Sequence, residues 1–126
     1  MKTLTLQILP DEFAIWQLPP NAPLQKLDDS SLWSVTRTPE ELSVVSIDKH
    51  APSDAPKESG WRCIGVKGPL AFELTGVLAS LSAPLAEAGI SIFAISSFNT
   101  DYLLVKAHQL NLAISVLQQV GHELLD

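Results

Sequence analysis

The chain of 126 residues has one cysteine, one methionine, one tyrosine and only eight lysines and arginines. A single cysteine, Cys63, excludes an internal disulfide and leaves no thiolate cluster for zinc or iron-sulfur, which suits a reducing compartment; a cytoplasmic location is expected. Eight basic residues against fourteen acids, a formal net charge of -6, argue against a phosphate-binding surface and so against nucleic acid as a partner. No apolar run is long enough to span a membrane. The opening "MKTLTLQILPDE" is cut short by Pro10, Asp11 and Glu12, so no export signal is legible there. There is no glycine-rich phosphate loop, no Gly-x-Ser-x-Gly elbow and no triad, so an enzyme has the least support and no cofactor is implied. His50, His108 and His122 lack metal-ligand spacing and are expected to be solvated, while Cys63, inside an apolar strand, is expected to be an inert buried thiol.

What is present is ordinary globular material, 46% hydrophobic and 17% charged. Leu4, Leu6 and Ile8 alternate with Thr3, Thr5 and Gln7, the period of a half-buried strand. "FAIWQL", from Phe13, predicts a second strand ended by Pro19 and Pro20. "SLWSVTRT" and "LSVVSI" form a hairpin around Pro39, and residues 48–60, polar and proline-bearing, predict an exposed linker. The chain therefore divides into residues 1–50, a linker at 51–60 and residues 61–126. In the last part "WRCIGVK" is a strand, and Gly68-Pro69 precedes a helical pattern of Leu70, Leu74, Val77, Leu78, Leu81 and Leu85. Pro84 lies inside that pattern and predicts a kink or tightened turn, and Gly89 a left-handed stop. The hairpin "SIFAISSFNTDYLLVKA", Ser91 to Ala107, follows, then a second helix carrying Leu110, Ile114, Leu117 and Leu124 and ending near Gly121.

Laying Ser31–Ile47 under Ser91–Ala107 at an offset of sixty makes apolar positions coincide: Leu32 with Ile92, Trp33 with Phe93, Val35 with Ile95, Val44 with Leu104 and Val45 with Val105. Glu41 then falls on Asp101. Such self-similarity suggests a degenerate internal duplication, although any two hairpins share some of it. Strand, helix, strand, strand, helix is the ferredoxin-like plan without its last strand. A bare sheet edge invites aggregation, so the N-terminal strand, Lys2 to Leu9, or a strand of the first half is expected to cover it.

The run Gly68–Lys106, "GPLAFELTGVLASLSAPLAEAGISIFAISSFNTDYLLVK", resembles the ACT domain, specifically the tandem ACT-like proteins of bacteria related to aspartate kinase regulatory modules and to the eukaryotic cytosolic arginine sensors. The resemblance implies an α+β chain of two ferredoxin-like modules packed side by side, with antiparallel sheets and helices on one face, the first module degenerate. It implies an amino-acid-binding regulatory or sensor module without catalytic activity, as a homodimer acting on a partner protein. The segment "NAPLQKLDD" in the first half departs from the pattern, being too short and proline-bounded for the usual first helix. Carried onto this sequence, the ligand-binding places are Gly68, Pro69, Phe72, Glu73 and Leu74, then Ser96, Ser97, Phe98, Asn99 and Asp101.

An amino acid presents a carboxylate and an ammonium. Free backbone N–H groups at the start of a helix near Leu70 would take the first, and Asp101 the second, with Glu73 favouring a basic side chain. Each residue also has a structural reading. Asp101 could serve its own turn, Gly68 and Pro69 could be only a turn at a helix start, Glu73 could be a first-turn acid, and Phe72 and Phe98 could be core. Ser96 and Ser97 point to opposite faces of a strand, so at most one faces a given pocket. A ligand-free interaction or dimerisation module is the alternative function.

Overall fold

In the computed structural model, residues 3–27, 31–71 and 75–125 are described. They form β1 (Thr5–Leu18), β2 (Ser34–Arg37), β3 (Leu42–Ile47), β4 (Lys57–Val66), α1 (Val77–Glu87), β5 (Ile92–Ser96), β6 (Asp101–Lys106), α2 (Leu110–Gln119) and β7 (Glu123–Leu124). Short 3-10 turns, Asp48–His50 and Ala107–Gln109, follow β3 and β6. The two strands expected before Pro19 are one continuous β1, because the fixed φ of Pro10 is compatible with extended backbone and it only removes one donor. Two compact units result: Met1–Pro10 with Arg62–Asp126, and Asp11–Trp61.

In the first unit the strand order is β1-β4-β6-β5, with β7 joined to β1. The N-terminal part of β1 thus lies beside β4, where the ferredoxin-like plan has its last strand. Lys67 N–H donates to Thr5 O at 2.8 Å and Arg62 Nη2 to Leu9 O at 3.1 Å. β7 runs parallel to β1, Thr5 opposite Glu123, so the sheet is not wholly antiparallel, and Leu124 belongs to this strand rather than to the second helix. Leu81 and Leu85 of α1 and Leu117 of α2 share one core with Leu6, Ile64, Leu103 and Val105 of the sheet. Each such buried leucine contributes roughly 1.5–3 kcal/mol.

Both helices end alike, because glycine alone adopts a left-handed φ without strain. After α1, Gly89 (φ 76) donates to Ala86 O at 3.0 Å and Ile90 to Leu85 O at 2.9 Å. After α2, Gly121 (φ 103) donates to Gln118 O at 3.0 Å and His122 to Leu117 O at 3.1 Å. α1 runs through Pro84 unbroken. The carbonyl this proline leaves without a helical donor, Ser80 O, lies 3.3 Å from His122 Nε2, while His122 Nδ1 accepts from Leu4 N–H at 3.1 Å. His122 is therefore buried, not solvated as expected: both ring nitrogens are used, which fits the tautomer with the proton on Nε2.

The second unit holds the rest of β1 against β3, with Phe13 opposite Ile47 and Leu18 opposite Leu42, and β2 beyond β3. Ala14, Trp16, Leu27, Leu42 and Val44 form its core, and Trp16 Nε1–H donates to buried Ser46 Oγ at 2.9 Å. No helix occurs in 19–27; the last residues of "NAPLQKLDD" lie outside the described residues. The segment expected to be a linker is structured at both ends, as a 3-10 turn at Asp48–His50 and as β4 from Lys57.

The two hairpins superpose in register at an offset of fifty-nine, not sixty. Arg37 pairs with Leu42 as Ser96 pairs with Asp101, and Val35 with Val44 as Ala94 with Leu103. Thr38 N–H closes one corner on Glu41 O at 2.9 Å, and Ser97 N–H the other on Thr100 O at 2.8 Å. The 3-10 turns keep the same spacing. Asp101 is thus matched by Leu42, and Glu41 by Thr100.

Candidate functional site

The turn after β4 and the corner between β5 and β6 are fastened to each other. Leu70 N–H donates to Asn99 O at 2.7 Å, and Thr100 Oγ1–H to Val66 O at 2.5 Å. A Cβ on Gly68 would lie 3.0 Å from Asn99 O and 3.1 Å from Thr100 Cβ, so any side chain there would press the corner back by a few tenths of an ångström. The N-terminus of α1 completes a cavity of about 220 Å³ lined by Leu70, Ala71, Val77 and the contiguous Ser96–Asp101.

Ser96, Ser97, Phe98, Asn99 and Asp101 all line it, both serines included although strand alternation predicts at most one, because Ser97 already belongs to the corner rather than to β5, while Gly68 and Pro69 shape the turn behind the lining. Phe72, Glu73 and Leu74 lie outside the described residues. Leu70, Ala71, Val77 and Thr100 are lining residues that the sequence reading does not single out as ligand-binding; for Thr100 the signal was its place between Asn99 and Asp101. The expected helix start near Leu70 falls at Val77 instead. Leu70 spends its N–H on the corner, and Gly76, at φ 78, cannot belong to a right-handed helix.

Among the described residues, Asp101 is the one ionisable residue of the lining. Ser96 Oγ–H donates to Asp101 Oδ1 at 2.6 Å, occupying one of about four acceptor positions of the carboxylate. Ser97 Oγ instead serves the corner, 3.0 Å from Thr100 O and 3.3 Å from Thr100 N. Val77 of α1 lines the same cavity; the helix begins without a side-chain cap and without an acid in its first turn, so among the described residues no side chain is shown to offset its N-terminal dipole. Phe98 stands 82% exposed at the rim, so it is not core. Cys63 lies in β4 apart from this lining, and burial pushes its thiol up from 9.0 to about 12, which keeps it protonated and inert. Among the described residues no group of three or more His, Cys, Asp or Glu could hold a metal ion, and no helix is long and apolar enough to cross a membrane.

The profile of the ACT domain matches residues 56–119, just over half of the chain. The cytosolic arginine sensor for mTORC1 subunit 1 of Mus musculus is 37% identical over 86 residues, 62% of this chain and 26% of that protein. The human protein of the same name is 42% identical over 60 residues, 47% of this chain and 18% of that one. The chain thus spans about a quarter or less of the length of these relatives. A crystal structure of a protein from Agobacterium tumefaciens is 35% identical with a TM-score of 0.92, covering 99% of this chain and 94% of that one. The ligand-free regulatory subunit of aspartate kinase from Thermus thermophilus, 12% identical with a TM-score of 0.67 over 95% and 99%, shares the fold.

Proposed function

The chain belongs to the ACT domain family, and from that premise we propose that it is a regulatory or sensor module that binds an amino acid in the cavity of its first unit. The observation that carries this reading is the pairing of one carboxylate, Asp101, with an uncapped helix N-terminus across a single cavity. The ammonium of the ligand meets Asp101, whose orientation Ser96 holds, and its carboxylate meets the N–H groups at the start of α1. Size fits as well. An apolar cavity of about 150 Å³ admits benzene, so about 220 Å³ accommodates a modest amino acid. Relatives named as an arginine sensor and as an aspartate kinase regulatory subunit support sensing without catalysis. The duplicated hairpin supports a degenerate ACT-like module in the first half, residues 1–50, beside the module of 61–126. The single cysteine and the cytosolic relative support a cytoplasmic location.

Thermal shift against each of the twenty amino acids, followed by calorimetry on the best, tests the reading. A ligand at a hundred times its Kd adds about 2.7 kcal/mol of stability. No shift with any amino acid in a folded sample refutes it. The second reading is a ligand-free homodimerisation or docking module, favoured by the exposed Phe98; equilibrium sedimentation of wild type and Phe98→Ser addresses it.

A further inference from the structure

In the first unit the space between the turn after β4 and the end of β5 is the cavity. In the second unit the matching space is spanned by the protein itself. Arg37 is the last residue of β2 and pairs with Leu42, the place that Ser96 holds in β5. Its Nη1 donates to Pro20 O and its Nη2 to Ala22 O at 2.8 Å, both in the turn that follows β1. That turn has constraints of its own besides the arginine. Pro19 and Pro20 fix φ, Ala22 N–H closes on Pro19 O at 3.0 Å, and Ala22 packs against the unit's core. Two carbonyls on a rigid turn, met by the two arms of one planar fork, make a receptor for a guanidinium.

We propose that the turn Pro19–Ala22 is a guanidinium-binding site whose resident ligand is the chain's own Arg37. The side chain is tethered, so its effective concentration is millimolar or higher, and it excludes guanidinium compounds dissolved at lower levels. The site is solvent-exposed, so a small compound enters once the tether is cut. This rests on the hydrogen bonds of Arg37 alone. Only its corollary, one amino-acid site per chain because the second place is self-filled, rests on the function proposed above.

The test is an amide NMR titration of the full chain with methylguanidinium chloride, with methylammonium chloride as the control. In Arg37→Ala the amides of Asn21, Ala22 and Leu24 shift saturably with methylguanidinium and several-fold less with methylammonium. In wild type the same amides move several-fold less. Should Arg37→Ala lose its dispersed spectrum, Arg37→Gln is titrated in its place. A folded variant whose turn amides respond no more than those of wild type, or respond equally to both salts, overturns the proposal. The absence of any amino-acid ligand for the first unit leaves this result untouched.

Discussion

The corners Thr38–Glu41 and Ser97–Thr100 close with the same backbone bond, yet the side chains of the first bond to its own backbone and to Gln17 while the second lines a cavity. At the first, Thr38 Oγ1 accepts from the N–H groups of Glu40 and Glu41 at 3.1 and 3.2 Å, and Glu41 Oε1 accepts from Gln17 at 3.0 Å. Its polar groups are met locally. At the second, Asn99 O and Thr100 Oγ1 reach outward to Leu70 and Val66, and Asp101 is left on the cavity wall. Identical turn geometry therefore carries no function by itself; what decides is the element placed opposite, α1 and its preceding turn in one case and a proline turn clasped by Arg37 in the other.

The strongest way to test the matched register is core truncation. Leu103→Ala, fully buried in β6, should cost about 2–5 kcal/mol by denaturant unfolding. Val44→Ala, its counterpart in β3, should cost less because it deletes fewer carbons. Next, Asp101→Asn should abolish the stabilisation by a bound amino acid, about 2.7 kcal/mol at a hundred times Kd, whereas Glu41→Gln should leave it intact. Equal losses from both would erase the distinction between the corners. His122→Ala should destabilise by about 1–3 kcal/mol, since it leaves Leu4 N–H and Ser80 O buried without their partner. Smaller again, Thr38→Ala and Ser97→Ala should each cost roughly 0.5–1.5 kcal/mol, the net worth of an ordinary hydrogen bond.

The last test expects no difference. Trp16, Trp33 and Trp61 all lie in Asp11–Trp61 and Cys63 lies in the other unit, so fluorescence and thiol labelling read the two units separately. Strands β1 and β4 run through both, so the two probes should give one coincident unfolding midpoint. Labelling at pH 8 should require opening, because the folded thiol, raised from 9.0 to about 12, stays protonated. The sign follows from linkage: this contribution to stability is intact below pH 9 and is lost as pH climbs through 12.

Sequence alone determined what depends on neighbours in the chain. Alternating apolar residues marked the strands, helical spacing marked both helices, Gly89 and Gly121 marked their ends, and the contiguous Ser96–Asp101 corner holds six of the lining residues, of which the sequence reading named all but Thr100. It also carried the likeness of the two hairpins, but one residue out of register. Apolar matches favour sixty over fifty-nine, and the strand pairing and turn hydrogen bonds overrule them. Tertiary structure decided the rest. α1 starts at Val77 because Leu70 pairs with Asn99, 29 positions along by residue number. His122 is buried because it bridges Leu4 and the carbonyl that Pro84 leaves unpaired. The physical reason is common to all of these: a hydrogen bond between distant residues leaves no period in the sequence, and its partner exists only once the chain has folded.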